Sequence, residues 1–148
     1  MRSIFVAMVL VLMIGCKKDN FTTKPQLKIK SVNATEIGGD QTLQFVIRLT
    51  DKEGDFSSYF GISTTTPNCP GSDFTDTTLF QIPDQFLNSK NKDGDIYLDL
   101  AKSQRHSNLC VGPGSTFLTD TTVFRFWTKD KAGNLSDTVT SEPIIIHP

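Results

Sequence analysis

The sequence is short of the residues that most often do chemistry. It has two histidines, three cysteines, one tryptophan and two tyrosines in 148 residues. His106 stands alone in a loop-like stretch and His147 is penultimate; a loose tail is a poor platform for a general base. G-x-S-x-G, H-E-x-x-H and a phosphate-binding glycine loop are all absent, which removes the common signatures of esterases, zinc proteases and nucleotide-binding enzymes. No sign of charge dominates: Lys+Arg is 15, Asp+Glu is 16 and the net charge is -1. A general nucleic-acid binder needs a basic footprint, so nucleic acid is excluded as a partner. No apolar run reaches the roughly 20 residues that span a bilayer. No stretch sustains a helical apolar period, although residues 84–91 suit one short turn of helix. Three cysteines are an odd number for a disulfide framework.

What is present is ordinary for one globular domain: 37% hydrophobic and 21% charged residues. The first residues differ from the rest. Arg2 gives a positive start, and an unbroken apolar run spans Ile4 to Ile14, followed at once by Gly15 and Cys16. That order is the order of a secretory signal peptide. Residues 17–24 are polar, without periodicity, and precede Pro25. They suit a tether reaching at most roughly 28 Å when extended.

From Pro25 onward, alternation with a period of two dominates. Leu43, Phe45, Ile47 and Leu49 form the cleanest series. Leu27 and Ile29, Phe60 and Ile62, residues 79–82, Ile96 to Leu100, and Phe124 and Phe126 mark five more strands. A last strand covers about 137–146, with Pro143 signalling an edge or a bulge. Seven strands with turn signals between them predict an all-β fold, a seven-stranded antiparallel Greek-key β-sandwich.

Three turns share one pattern of Asp or Asn, two residues, Gly, then Asp or Asn: 51–55, 91–95 and 130–134. In a seven-strand count they gather at one end, the end at which the first strand begins. Turn chemistry accounts for them, because Asp and Asn cap their own backbone and Gly supplies positive φ. A calcium site is the sharper reading, with Asp51, Glu53, Asp55, Asp93, Asp95 and Asp130 as its oxygen donors. No single loop has the spacing of an EF-hand. No other cofactor is indicated. Trp127 falls on the face opposite Phe124 and Phe126. It is either covered as core, the reading favoured here, or an outward contact for sugar or protein, with Tyr97 as a second such contact.

Several of these segments resemble known proteins. Met13-Ile14-Gly15-Cys16 resembles the bacterial lipobox, in which the cysteine thiol receives a diacylglyceryl group and the peptide is cut before it. The resemblance implies that residues 1–15 are a lipoprotein signal peptide, that 16–24 are the lipidated Cys16 and tether, and that 25–148 are the folded domain. Membrane lipid is then a partner through Cys16. The absence of Asp after Cys16 implies outer-membrane delivery, by likeness to enterobacterial lipoproteins. Val123 to Ser136, with its Asp130-Lys131-Ala132-Gly133-Asn134 turn, resembles the F strand and F–G turn of immunoglobulin-like and fibronectin-III-like domains of bacterial surface proteins. Leu49 to Asp55 resembles the B–C turn of small bacteroidete lipoproteins of that layout. Such a chain is expected to be a non-catalytic, membrane-anchored binding or structural module whose partner is an unknown envelope protein or glycan. Alternatives are a glycan-capturing accessory lipoprotein and, with less support, an envelope enzyme built around His106.

With Cys16 lipidated, Cys69 and Cys110 remain, and an oxidising envelope favours a disulfide between them. Their loops lie at the same end of a seven-strand fold, opposite the acidic turns. Two free thiols, or metal ligands with His106, are the rival reading. Residues 64–75 and 102–119 are the loops in which to look first for a partner. Asp76-Thr77-Thr78, Asp120-Thr121-Thr122 and Asp137-Thr138-Val139 also match the bacteroidete O-glycosylation pattern.

Overall fold

In a computed structural model the described residues are 23–38, 40–67, 77–88, 93–101 and 118–148. They are mostly β. The strands are β1 (Gln26–Val32), β2 (Glu36–Ile37), β3 (Leu43–Thr50), β4 (Phe56–Thr65), β5 (Thr77–Gln81), β6 (Asp93–Leu100), β7 (Asp120–Asp130), β8 (Val139–Thr140) and β9 (Ile144–Ile146), with one short helix, α1 (Asp84–Asn88), before β6.

Two sheets result. One has the order β1-β3-β6, and the other β2-β9-β7-β4-β5, with β8 also paired to β7. All pairings are antiparallel except β2 with β9. The alternating residues of β3 point inward, where Leu43, Phe45, Ile47 and Leu49 are fully buried. β7 does the same with Phe124 and Phe126. The sheets meet where Phe45 packs on Phe124 and Phe126, with ring centroids 5.2 and 5.0 Å apart. Tilted and edge-on rings at that spacing add to the area they bury. Burying each such side chain contributes about 1.5–3 kcal/mol, so this face holds the sheets together.

The register fixes both ends. Gln26 and Asp93 both lie opposite Thr50, and Phe56 lies opposite Asp130. The start of β1, the 51–55 turn, the start of β6 and the 130–134 turn therefore share one pole. Leu100 pairs with Leu43, and Thr65 with Val123, at the other.

The strand count differs from the seven expected. β2 was not anticipated, since two residues are too few for an alternation to register. The last strand is broken at Pro143, where Ser141 stitches the gap: its N–H donates to Phe124 O and its hydroxyl accepts from Phe124 N. Pro143 thus marks a break, while β9 itself lies inside the sheet between β7 and β2. The tail is not loose either. His147 donates its backbone N–H to Ile37 O at 2.8 Å, and its ring contacts Glu36 Oε1 at 2.7 Å and Thr119 Oγ1 at 3.0 Å.

Candidate functional site

The pole shared by two of the acidic turns gathers three carboxylates. Asp51, Asp55 and Asp130 each place a carboxylate oxygen within 4.8 Å of the others. The fold brings them together because Asp51 follows β3, Asp55 precedes β4, and Asp130 ends β7 beside Phe56. Gly54 and Gly133 turn the chain at φ 68° and 89°, a region open to glycine at little steric cost. Lys131 N donates to Asp55 O at 2.8 Å and ties the two turns to each other.

The carboxylates are held but not neutralised. Asp51 is 1% exposed and Asp130 2%. Asp51 Oδ1 accepts from Glu53 N at 3.1 Å. Asp130 accepts from Asn134 through both oxygens, from the backbone N–H and from Nδ2, each at 2.7 Å. Asp51 Oδ2 and Asp55 Oδ1 are buried and have no hydrogen-bond partner. Among the described residues no lysine, arginine or histidine pairs with any of the three. Burial raises the Asp51 carboxyl above its ordinary 3.8; the Glu53 N–H opposes this, and the hydrogen bond that a protonated Asp51 makes to Asp55, with the charges of Asp55 and Asp130, adds to it. Like charges 4 Å apart repel by about 4 kcal/mol at an effective dielectric of 20. An ionised triad of this kind needs a counter-charge.

The other acidic candidates are placed elsewhere. Glu53 is exposed and touches the cluster through its backbone N–H. Asp93 and Asp95 lie in β6, not in a turn, and Gly94 pairs with Leu49 inside the sheet. Gly94 is small for a different reason than the turn pattern suggests: a Cβ there would lie 2.2 Å from Phe86 Cε2, because α1 lays its phenyl ring against the strand. Phe86 also packs on Phe56, ring centroids 5.5 Å apart. On the outer face of the three-stranded sheet, Asp95 accepts from Lys30 Nζ at 2.7 Å and from Arg48 Nη1 at 3.2 Å, and Asp93 pairs with Arg48. Lys30 alternates outward with Lys28 in β1, next to a bulge between Ile29 and Ser31. Lys30 first, then Arg48, hold Asp95 below its ordinary pKa against its partial desolvation. The six candidates thus divide into a triad at the pole, an exposed neighbour and a paired outer face. Asn134, which grips Asp130, was not singled out; the Asn at the end of the Asp130 turn was its signal.

Trp127 faces outward as the alternation predicts, but it is half-buried on the outer face instead of being covered by the second sheet. Its indole lies over Gly61, where a Cβ would come within 2.2 Å of Cε2. Tyr97 is 66% exposed. It borders a groove of about 480 Å³ with Phe80, Gln81, Phe86 and Asp99. Thr138 and Thr77 are exposed, whereas Thr121 is half-buried and Thr122 fully buried. Cys16, Cys69, Cys110 and His106 lie outside the described residues, as does most of the two loops expected to meet a partner. Among the described residues no helix is long and apolar enough to cross a membrane.

No protein-family model matches the sequence, and no curated protein does. Among solved structures, the chain is similar to a β-glucosidase from Listeria innocua, seen in complexes with isofagomine, glucose and gluconolactone. In each case the identity is 7% and the TM-score 0.46 over 84% of this chain. The chain spans only 16% of the β-glucosidase's length.

Proposed function

We propose that this chain is a non-catalytic module of the bacterial cell envelope, held on membrane lipid through Cys16 and presenting a binding or structural domain of immunoglobulin-like, fibronectin-III-like Greek-key topology. The carrying observation is the sequence of segments at the start: an apolar run, Gly15-Cys16, a short polar stretch, then a strand beginning at Gln26. The sheet order supports the topology. β1, β3 and β6 stand where strands A, B and E would, β4 and β7 where C and F would, and the chain crosses between sheets from β1 to β2 and back to β3, then from β3 to β4, β5 to β6 and β6 to β7. β5 pairs with β4 and so extends the C–F sheet. β1 enters at the acidic pole, which therefore faces the membrane, and the opposite pole, where β4 and β6 end, points away from it. The ends of β4 and β6 sit at that far pole, which favours a Cys69–Cys110 disulfide. Closing a loop of about 40 residues is worth about 4 kcal/mol in the chain-entropy model.

Labelling with radioactive palmitate in a bacterial host tests the anchor. The chain incorporates label and sediments with membranes, and Cys16→Ser does neither; equal labelling of the variant overturns the reading. Intact mass tests the bridge, which adds two daltons on reduction.

A second reading, capture of a glycan, is favoured by the exposure of Tyr97 beside the groove and by the indole of Trp127 lying on Gly61. Aromatic surfaces of this kind suit sugar rings. Titration with a panel of oligosaccharides reads it: binding lost in Tyr97→Ala or Trp127→Ala supports capture, and no binding by the parent chain ends it.

A further inference from the structure

We propose that Asp51, Asp55 and Asp130 bind one calcium ion, which bridges the turn after β3 to the turn after β7 at the pole where the chain enters the fold. Two independent observations meet here. The first is convergence: three carboxylate oxygens from turns some 75 residues apart lie within 4.8 Å of one another. The second is an orphaned acceptor: Asp51 is 1% exposed, and its Oδ2 has no partner. Asp55 Oδ1 is buried and orphaned beside it. Buried polar atoms without partners are rare in folded proteins; Asp120 Oδ2 and Thr122 Oγ1 are two others here, but only at Asp51 and Asp55 do the orphaned atoms sit in a cluster of carboxylates.

A cation satisfies the pole better than a proton does. One shared proton neutralises one carboxylate of three. The donors already in place orient the carboxylates, since Glu53 N–H points at Asp51 and Asn134 gives two N–H groups to Asp130. A carboxylate has about four acceptor sites, so Asp130 keeps capacity for a metal while Asn134 fixes its orientation. An all-oxygen, all-carboxylate set selects a hard cation. Calcium takes 6–8 oxygens at 2.3–2.6 Å in flexible geometry, and the span of these oxygens fits across it; magnesium demands tighter octahedral placement at 2.0–2.1 Å. Water completes the shell. The site is made wholly from described residues, and its occupancy is independent of lipid at Cys16.

Thermal unfolding of the full chain in detergent, first in chelator and then in millimolar calcium, tests the site. The midpoint should rise by about 5 °C or more with calcium. The rise should vanish in Asp51→Asn and in Asp130→Asn, and persist in Asp95→Asn, which removes an acid from the outer face. Asp55→Asn, at a half-buried position, carries the test if either cluster variant fails to fold. An unchanged midpoint for the parent chain overturns the proposal, as does a rise that survives in the cluster variants. An equal rise with sodium chloride at matched ionic strength overturns it too, and an equal rise with magnesium overturns the choice of calcium.

Discussion

Asp95 lies in β6 and Asp51 directly follows its partner strand β3 at the same end, yet they are treated in opposite ways. Asp95 lies on the outer face with Lys30 and Arg48 against its two oxygens. Asp51 is buried with one oxygen orphaned and two further carboxylates as neighbours. The first arrangement is complete in itself. Cross-strand pairs of opposite charge are the ordinary way for a solvent-facing sheet to hold its strands in register. The second is incomplete by charge although well ordered by hydrogen bonds. Acidic residues close in sequence pattern thus do different work, and the difference lies in what stands across from each of them.

Substitution at Gly94, on the inner face of β6 between Asp93 and Asp95, should have the largest effect. Gly94→Ala drives a Cβ into Phe86 and should cost about 1–3 kcal/mol in urea unfolding. Its damage should fall on the start of β6, weakening protection of amides there before those of the 130–134 turn. Equal loss at both would break the distinction between the regions. Asp51→Asn in chelator should act in the opposite direction and raise stability by about 1 kcal/mol, because it removes one of three unneutralised charges. Asp95→Asn should lower stability by a small amount, since it strips Lys30 and Arg48 of a partner. Urea denaturation of both variants checks the pair of signs, and two changes of the same sign would refute the contrast.

The pH dependence in chelator should separate the same two residues. Asp51 has a raised pKa, so its contribution is fully present below 3.8 and is lost as pH rises through the raised value. Asp95 has a lowered pKa, so its contribution is present above 3.8 and lost as pH falls through the lowered value. Melting midpoints taken downward from neutral pH should therefore climb before they fall, and the climb should be absent in Asp51→Asn. The smallest effect is that of salt. Raising sodium chloride to about 0.5 M screens exposed pairs strongly and buried groups much less. The Asp95→Asn difference should shrink with salt while the Asp51→Asn difference stays.

The parts of this fold that could be read from the sequence are those set by a few neighbouring residues. Leu43 to Leu49 alternates because one face of β3 is buried and the other is not, and the inward set is visible without knowing its partner. Gly54 and Gly133 were readable because a positive φ is a local demand. Gly94 carries the same local pattern for a non-local reason, the approach of Phe86, and so was misread as a turn. The triad was only half visible for the same cause. Six acids were equivalent on paper, and the pairing of β3 with β6 on one side and β1 on the other assigned two of them to cations. Trp127 was favoured as core and is instead half-buried on the outer face, because Gly61 beneath it leaves room for the indole. β2 and the anchoring of His147 left no signal, because each depends on a meeting between distant ends of the chain.

That meeting has a mechanical side. β2 and β9 run parallel, joined by Ile145 N to Thr35 O at 2.9 Å and His147 N to Ile37 O at 2.8 Å. One comes early in the chain and the other near its end. Tension applied between the two ends would slide these strands past each other lengthwise and load their bonds together. An antiparallel hairpin pulled apart from its open ends yields one bond at a time, as a zip does. The short parallel pair acts instead as a clasp, and resists pulling more than its two residues per strand would suggest.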